Sequence, residues 1–425
     1  MSVQLTPEFL QDPTPRHRYY TVISVDDHLV EPPDIFERRE PSRFGGRFPR
    51  VVELEKGRTY SREHSDLPPL TIQEDGRQAW LYEDQVYLQI GLNAVVGYSD
   101  HSRLRNEPAA FKEMRPGCFD IHARVRDMDI AGIWASVNFP SQITGFAGTV
   151  FSNSIDQELG QTVTRAWNDW MFEEWHGAYP DRIVPLGITW LADPAIGAEE
   201  IRRNAARGFT ALSFPETPHR LGYPPIHDDY WEPIIRACVD TGTVICLHVG
   251  SSGMLPLHPE GPRFEKNVTL FPALSLLACV EWLWSGVPGR HPDLKIALSE
   301  GGIGWVPMLM DRLDFMAGHA GKTADYDRWV GGRTPSEILA TNFYFCSIDD
   351  PSGLALLDRI GDDQVMLEVD YPHSDTTWPD TQELLRATFD ATPALSAETI
   401  RKLTCENAAR LFRHPLPQGG DWPTP

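Results

Sequence analysis

Ionisable residues stand at the ends of several apolar, β-branched runs in this chain. Ser24-Val25-Asp26-Asp27-His28 closes YYTVISVDDH, His248 closes VICLH, Glu300 follows KIALS, and Asp370 follows VMLEV with His373 just beyond. In a strand, residues i and i+2 face one side, so Asp26 and His28 point together while Asp27 points away. Two such groups can share one cation. His248 precedes VGSSG, where glycine and serine let a ligand approach the backbone closely. Glu300 sits beside two glycines in LSEGGIGW, and a buried carboxylate needs a partner, either a metal or a cation such as Arg312. Taken singly, these residues would more often cap helices, tie down turns or sit as satisfied core histidines. Four strand ends agreeing favours a site.

The elements that must position these groups follow from periodicity. From about residue 134, short apolar runs alternate with helical patterns, the signature of βα units around a parallel sheet. Strands are read at WASVNFPS, IVPLGITWL, FTALSF, VICLHVG, KIALSEGG, NFYFCSI and VMLEVDYPH, and YYTVISVDDH near the N-terminus makes eight. Eight closes an α/β TIM barrel, (β/α)8, whose reactive groups lie at the C-terminal ends of its strands. The helices IGAEEIRRNAARG and DDYWEPIIRACVDTG carry apolar faces and end on Gly208 and Gly242. About ninety residues rich in Pro, Gly and charge follow the first strand, with strand-like pieces RVVEL and QAWLYEDQVYLQI. A structureless loop of that length is improbable, so a small β-containing insertion at about residues 40–115 is expected over the barrel mouth, shaping substrate choice. Residues 1–425 are thus read as one barrel domain carrying that insertion. SAETIRKLTCENAARLF reads as a helix opening on a Ser cap, and HPLPQGGDWPTP as a loose tail.

The composition, 41% hydrophobic and 23% charged, supports a buried core. A formal net charge of -22 argues against nucleic acid and anionic membranes, which select clustered Lys and Arg. The N-terminus lacks the apolar stretch of a signal peptide and no run is long enough to span a bilayer, so a cytoplasmic protein is expected. Six scattered cysteines without a CxxC pair read as buried thiols.

The combined segments VDDHLVEPPDIF, LHVGSSG, HPDLKIALSEGGIGWVP, DYPHSDTTWP and ENAARLF resemble the amidohydrolase superfamily. The resemblance is to its amidohydrolase-related branch, which holds aminocarboxymuconate-semialdehyde and resorcylate decarboxylases. It implies that Asp26 and His28 are the first-strand metal ligands, His248 the fifth-strand ligand and Asp370 the eighth-strand carboxylate, binding metal or taking a proton. Many relatives carry His-x-His on the first strand and a His on the sixth, where this chain has Asp-x-His and Glu300. Binuclear relatives bridge two metals through a modified lysine after strand four. ALSFPETPHR offers no lysine but has Glu216, which reads equally as a bridge or as a surface turn after Pro215; His219 reads as a loop histidine. His373 and His122 are candidates to reach the mouth, while Arg124 and Arg126 are candidate carboxylate partners whose ordinary fate on a helix is solvent.

The expected chemistry is metal-dependent. A divalent ion among Asp26, His28, His248 and Asp370 polarises a carbonyl or supplies hydroxide, giving hydrolysis. With a small carboxylated, cyclic or aromatic substrate, the ion holds the carboxylate while Asp370 or Glu300 protonates carbon, giving non-oxidative decarboxylation. The oxygen-rich ligand set suits zinc, manganese or iron. Two irons bridged by Glu216 or Glu300 would instead activate dioxygen, so a non-haem diiron oxygenase is the alternative. A non-catalytic binding protein is disfavoured by so many ionisable groups at strand ends. Trp282, Trp284, Trp305 and Trp378 suit either a ring-bearing substrate or the core. A small molecule is the expected partner, and a homo-oligomer is compatible with such a barrel although no segment specifies its interface.

Overall fold

The structure is a computed structural model that describes residues 12–61, 69–88, 91–98, 109–258, 260–319, 326–392 and 394–418. Its parallel strands are β1 Ile23–Leu29, β2 Ala135–Pro140, β3 in two pieces Ile183–Val184 and Leu186–Gly187, β4 Ala211–Phe214, β5 Val244–His248, β6 Ile296–Ser299, β7 Phe343–Ser347 and β8 Val365–Leu367. The sheet begins on the first piece of β3 and runs through β2, β1, β8, β7, β6, β5 and β4 to the second piece of β3. The two ends of the sheet are therefore consecutive in the chain, separated by Pro185 alone, and the barrel closes there. Where IVPLGITWL reads as one strand, the structure gives two short pieces, because Pro185 has no N–H to give to the ladder.

Side-chain alternation divides each strand between two cores. Ile23, Val25, Val137, Val184, Ala211, Cys246, Ala297, Cys346 and Met366 line the barrel interior, and Cys405, Ala408, Leu411 and Phe412 of the C-terminal helices pack into the same cluster. Leu212, Ile245, Leu247, Ile296, Leu298, Phe343, Phe345, Val365 and Leu367 face the surrounding helices. Ser396 caps the C-terminal helical segment, its Oγ accepting the amide of Thr399. Gly208 and Gly242 end their helices in the left-handed region that glycine adopts without a Cβ clash. All six cysteines are buried and free. The tail departs from expectation at its start: His414 is buried and its Nε2 meets the carbonyl of Asp181 at 2.9 Å, while Pro415 accepts from Trp134 Nε1 at 3.0 Å. Residues 419–425 of that tail lie outside the described residues.

The insertion after β1 forms a three-stranded antiparallel sheet, Arg50–Glu53, Gln78–Tyr82 and Gln85–Leu88, and a small hairpin, Thr59–Tyr60 with Leu70–Thr71. Its own core is Leu54, Tyr60, Ile72 and Ala79. The insertion is fastened to loops at the C-terminal ends of the barrel strands. Tyr82 Oη meets Ser154 Oγ at 2.6 Å, Asn93 Nδ2 donates to Ser141 O at 3.1 Å, and the amide of Val95 donates to Pro372 O at 3.1 Å. Among the described residues no single helix is long and apolar enough to cross a membrane.

Candidate active site

The strand-end residues converge. One ligand atom each from Asp26, His28 and His248 lies within 4.8 Å of the others, as do atoms from His28, Asp370 and His373, and from Glu300, Asp370 and Asp375. β1 delivers two of these groups through a local irregularity. Ser24 pairs with Ser136 but Asp27 with Asn138, so β1 has one residue more than β2 over this stretch. Such a bulge re-aims the chain. Ile23 and Val25 face the interior, and the extra residue lets Asp26 and His28 face it as well. Asp27 is turned elsewhere: its Oδ1 accepts from Ser24 Oγ at 2.8 Å and from the amide of Tyr371 at 3.2 Å. β5 points Val244, Cys246 and His248 inward in simple alternation, and beyond β8 the same period carries Met366, Glu368 and Asp370. Asp370 and Glu300 adopt left-handed backbone, φ 56° and 61°, a costly state for residues with a Cβ that the surrounding structure must enforce. The amide of Asp370 is held by Asp26 O at 2.9 Å and that of Glu300 by Glu368 Oε2 at 2.9 Å.

His28 Nε2 lies 2.9 Å from His248 Nε2, 3.5 Å from Asp26 Oδ1 and 3.3 Å from Asp370 Oδ1. His248 Nε2 is 3.5 Å from both Asp26 Oδ2 and Glu300 Oε2. The Nδ1 of His248 faces Val249 O at 2.8 Å, which fixes the tautomer with a proton on Nδ1 and leaves Nε2 a bare lone pair. Both carboxylate oxygens of Asp26 and of Asp370 are buried without a hydrogen-bond donor, as is Nε2 of His373. Two facing imidazole nitrogens and two carboxylates with no donor fit a divalent cation.

Burial dominates the electrostatics. It pushes Asp26, Asp370 and Glu300 well above the usual carboxylate range, reinforced by repulsion from Glu368 and Glu300 at Asp26, and from Asp375 at the other two. Burial also holds His28 well below its ordinary value, with His373, His248 and Arg124 adding to the effect. His248 is pushed down to about 3 and His373 to about 4, again chiefly by burial. The histidines thus remain neutral. His373 Nδ1 lies 3.1 Å from Asp370 Oδ1, and its ring stacks on His28 at 3.7 Å. Phe146 stacks on His248 at 4.5 Å, with Phe139 edge-on at 5.0 Å, so one wall of the site is aromatic.

Other expected residues fall differently. Glu216 is buried, not on a surface turn; its Oε2 accepts from the amide of Gly250 at 2.9 Å, and it belongs to none of the three ligand groups. Burial raises its carboxyl to about 8. Arg312 is not the partner of Glu300 but lies over the Phe315 ring at 5.3 Å. His122 is exposed and meets Tyr179 Oη at 3.0 Å, and His219 and Arg126 are exposed. Trp282, Trp305 and Trp378 are core residues, Trp282 Nε1 donating to Glu216 O. Arg124 corrects the expectation of a solvated helix arginine. It is fully buried, donates to the carbonyls of His28 and Gly117, and lies 4.1 Å over the Tyr371 ring. Glu368, Asp375 and Phe146 were missed by sequence reasoning; the i, i+2 spacing of Glu368 to Asp370 was the available signal.

The family model described as Amidohydrolase matches residues 105–414, and the chain belongs to that family. Solved structures share the fold at low identity. An amidohydrolase from Mycobacterium avium subsp. paratuberculosis K-10 superposes with a TM-score of 0.65 at 22% identity, over 93% of this chain and 100% of that one. A 5-carboxyvanillate decarboxylase from Novosphingobium aromaticivorans DSM 12444, complexed with manganese and 4-hydroxy-3-methoxy-5-nitrobenzoic acid, gives 0.60 at 19% identity, over 95% and 98%. A dihydroxybenzoic acid decarboxylase from Polaromonas sp. JS666, with bound manganese and the inhibitor 2-nitroresorcinol, gives 0.58 at 16% identity, over 93% and 97%.

Proposed function

We propose that this protein is a metal-dependent enzyme that removes carbon dioxide from a small phenolic carboxylate without oxidation. The observation that carries the reading is the convergence of Asp26, His28, His248 and Asp370 around buried carboxylate oxygens that have no donor. These four residues would hold a divalent ion. Bound there, it supplies Lewis acidity to a carboxylate and a neighbouring oxygen. The metal-bearing relatives with phenolic ligands and the aromatic wall of Phe146 and Phe139 support an aromatic substrate.

His373 is the base this site offers. Its buried Nε2 has no partner, and Nδ1 faces Asp370, which orients the ring. Neutral His373 takes the phenolic proton as substrate binds. The same proton passes to the ring carbon as the carbon–carboxylate bond breaks and carbon dioxide leaves, and the phenolate product takes one proton from solvent. The insertion, fastened to the loops after β2 and β8, covers the mouth and narrows the range of substrates.

The test is a panel of hydroxybenzoates carrying one or two ring hydroxyls, assayed for carbon dioxide and for deuterium at the vacated carbon in heavy water. Release with one deuterium per turnover is expected. Turnover of esters or lactones with none on this panel would make the enzyme a hydrolase, with His373 activating water. Product formation that requires dioxygen would make it an oxygenase.

A further inference from the structure

We propose that Phe146 is a positioning residue that fixes the plane of the His248 ring and thereby the direction in which Nε2 meets the ion. The inference rests on the metal site of the proposed function and not on the reaction assigned to it. The Nδ1 of His248 is held by Val249 O at 2.8 Å. Such a bond fixes where Nδ1 points but leaves the ring free to tilt about that direction. Tilting moves Nε2, the atom that faces Asp26 and Glu300 at 3.5 Å. A flat surface against the ring removes that freedom, and Phe146 supplies one. The two rings are 13° from parallel with centroids 4.5 Å apart, while Phe139 meets the same imidazole edge-on at 5.0 Å. His28 is backed in the same way by His373, at 22° and 3.7 Å. Each imidazole ligand therefore rests on a second flat ring.

The loop after β2 is built to aim this ring. Its backbone is left-handed on both sides of Phe146, at Gly145, Ala147 and Gly148, with φ 64°, 62° and 73°. Ala147 carries a Cβ and is wholly buried, so its conformation is a cost that the surroundings impose. They impose it from three directions. The amide of Ala147 donates to Ser213 Oγ on β4 at 3.2 Å. The amides of Gln142 and Thr144 donate to the buried carboxylate of Glu31, just beyond β1, at 3.0 and 3.2 Å. Asn93 of the insertion donates to Ser141 O at 3.1 Å. Phe146 itself is only partly buried, packed on the cluster that lines the barrel interior. Filling that interior needs no such loop, because β2 already delivers Val137 there from regular strand. Setting one ring parallel to one imidazole does need it.

The test is a titration of chelator-treated full-length protein with cobalt(II), whose visible d–d absorption reports ligand geometry with no substrate present. Phe146→Ala should weaken cobalt binding by about 10–100-fold, the usual cost of losing a group that orients a metal ligand, and should change the absorption band. Phe146→Tyr keeps the ring face and should restore both the affinity and the spectrum of the wild type. Phe146→Leu keeps apolar bulk without a flat face and should restore neither. Thermal melts of the metal-free variants fix a temperature at which each is folded for the titration, and if Phe146→Ala does not fold, the contrast between Tyr and Leu decides. Wild-type affinity and spectrum in Phe146→Ala, or full rescue by Phe146→Leu, overturns the positioning role while leaving the metal site standing. A wild type that binds no cobalt removes the metal site and the role of Phe146 with it.

Discussion

Replacing Glu216 by Gln should stabilise the metal-free protein at pH 8 and leave it unchanged near pH 4. The carboxyl of Glu216 is buried and raised from an ordinary 4.5 to about 8, chiefly by loss of solvent. The amides of Gly250 and Ser252, the Arg220 charge and the Ser251 hydroxyl recover only part of that cost. A carboxyl raised in the folded state keeps its proton after the unfolded chain has released its own. Stability therefore falls as pH rises from about 4.5, and the fall ends near pH 8 where the folded group also ionises. Each pH unit in that window is worth about 1.4 kcal/mol, so the full effect is at most roughly 5 kcal/mol. Glutamine keeps the carbonyl that accepts from Gly250 and cannot ionise. Chelator-treated wild type and Glu216→Gln are compared by urea unfolding at half-unit steps from pH 4 to 9. The difference between them should be near zero at pH 4, grow through pH 6 and level off near pH 8. A difference that does not change with pH would refute the claim that Glu216 is held neutral by burial.

Three further outcomes follow from the same geometry. His248→Ala removes the nitrogen fixed by Val249 O, so it should abolish metal retention in elemental analysis and the metal-induced rise in Tm; for wild type at a hundredfold excess over Kd that rise corresponds to about 2.7 kcal/mol. His373→Asn should keep the metal but lower kcat by about 10²–10⁴-fold, the usual contribution of a positioned acid–base group, and an unchanged kcat would remove His373 from the reaction. Gly117→Ala should destabilise by about 1–3 kcal/mol in denaturant melts, because a Cβ there would overlap the Asp127 carboxylate and the Tyr371 hydroxyl, which share a 2.6 Å hydrogen bond.

Local periodicity and residue type carry part of this architecture without tertiary information. Alternating apolar runs ending in Asp26-x-His28, His248, Glu300 and Asp370 specify barrel strands with ionisable ends, and the glycines at 208 and 242 stop their helices where a left-handed residue is needed. Which distant segments meet follows only from packing. Arg124 and Arg126 are two residues apart on one helix, yet one is buried beneath His28 and the other faces solvent, because only the packing of that helix against Tyr371 and the β1 carbonyl tells them apart. Glu216 reads in sequence equally as a metal bridge or a turn residue; only the approach of the loop after β5, whose Gly250 amide donates to it, shows it buried and committed to that loop. Asp375 has no distinction in sequence; it joins the site because the chain after β8 turns back toward Glu300, more than seventy residues earlier. Pro185 shows both influences at once: its missing N–H was present in the sequence, but only closure of the barrel made that proline the seam between the two ends of the sheet.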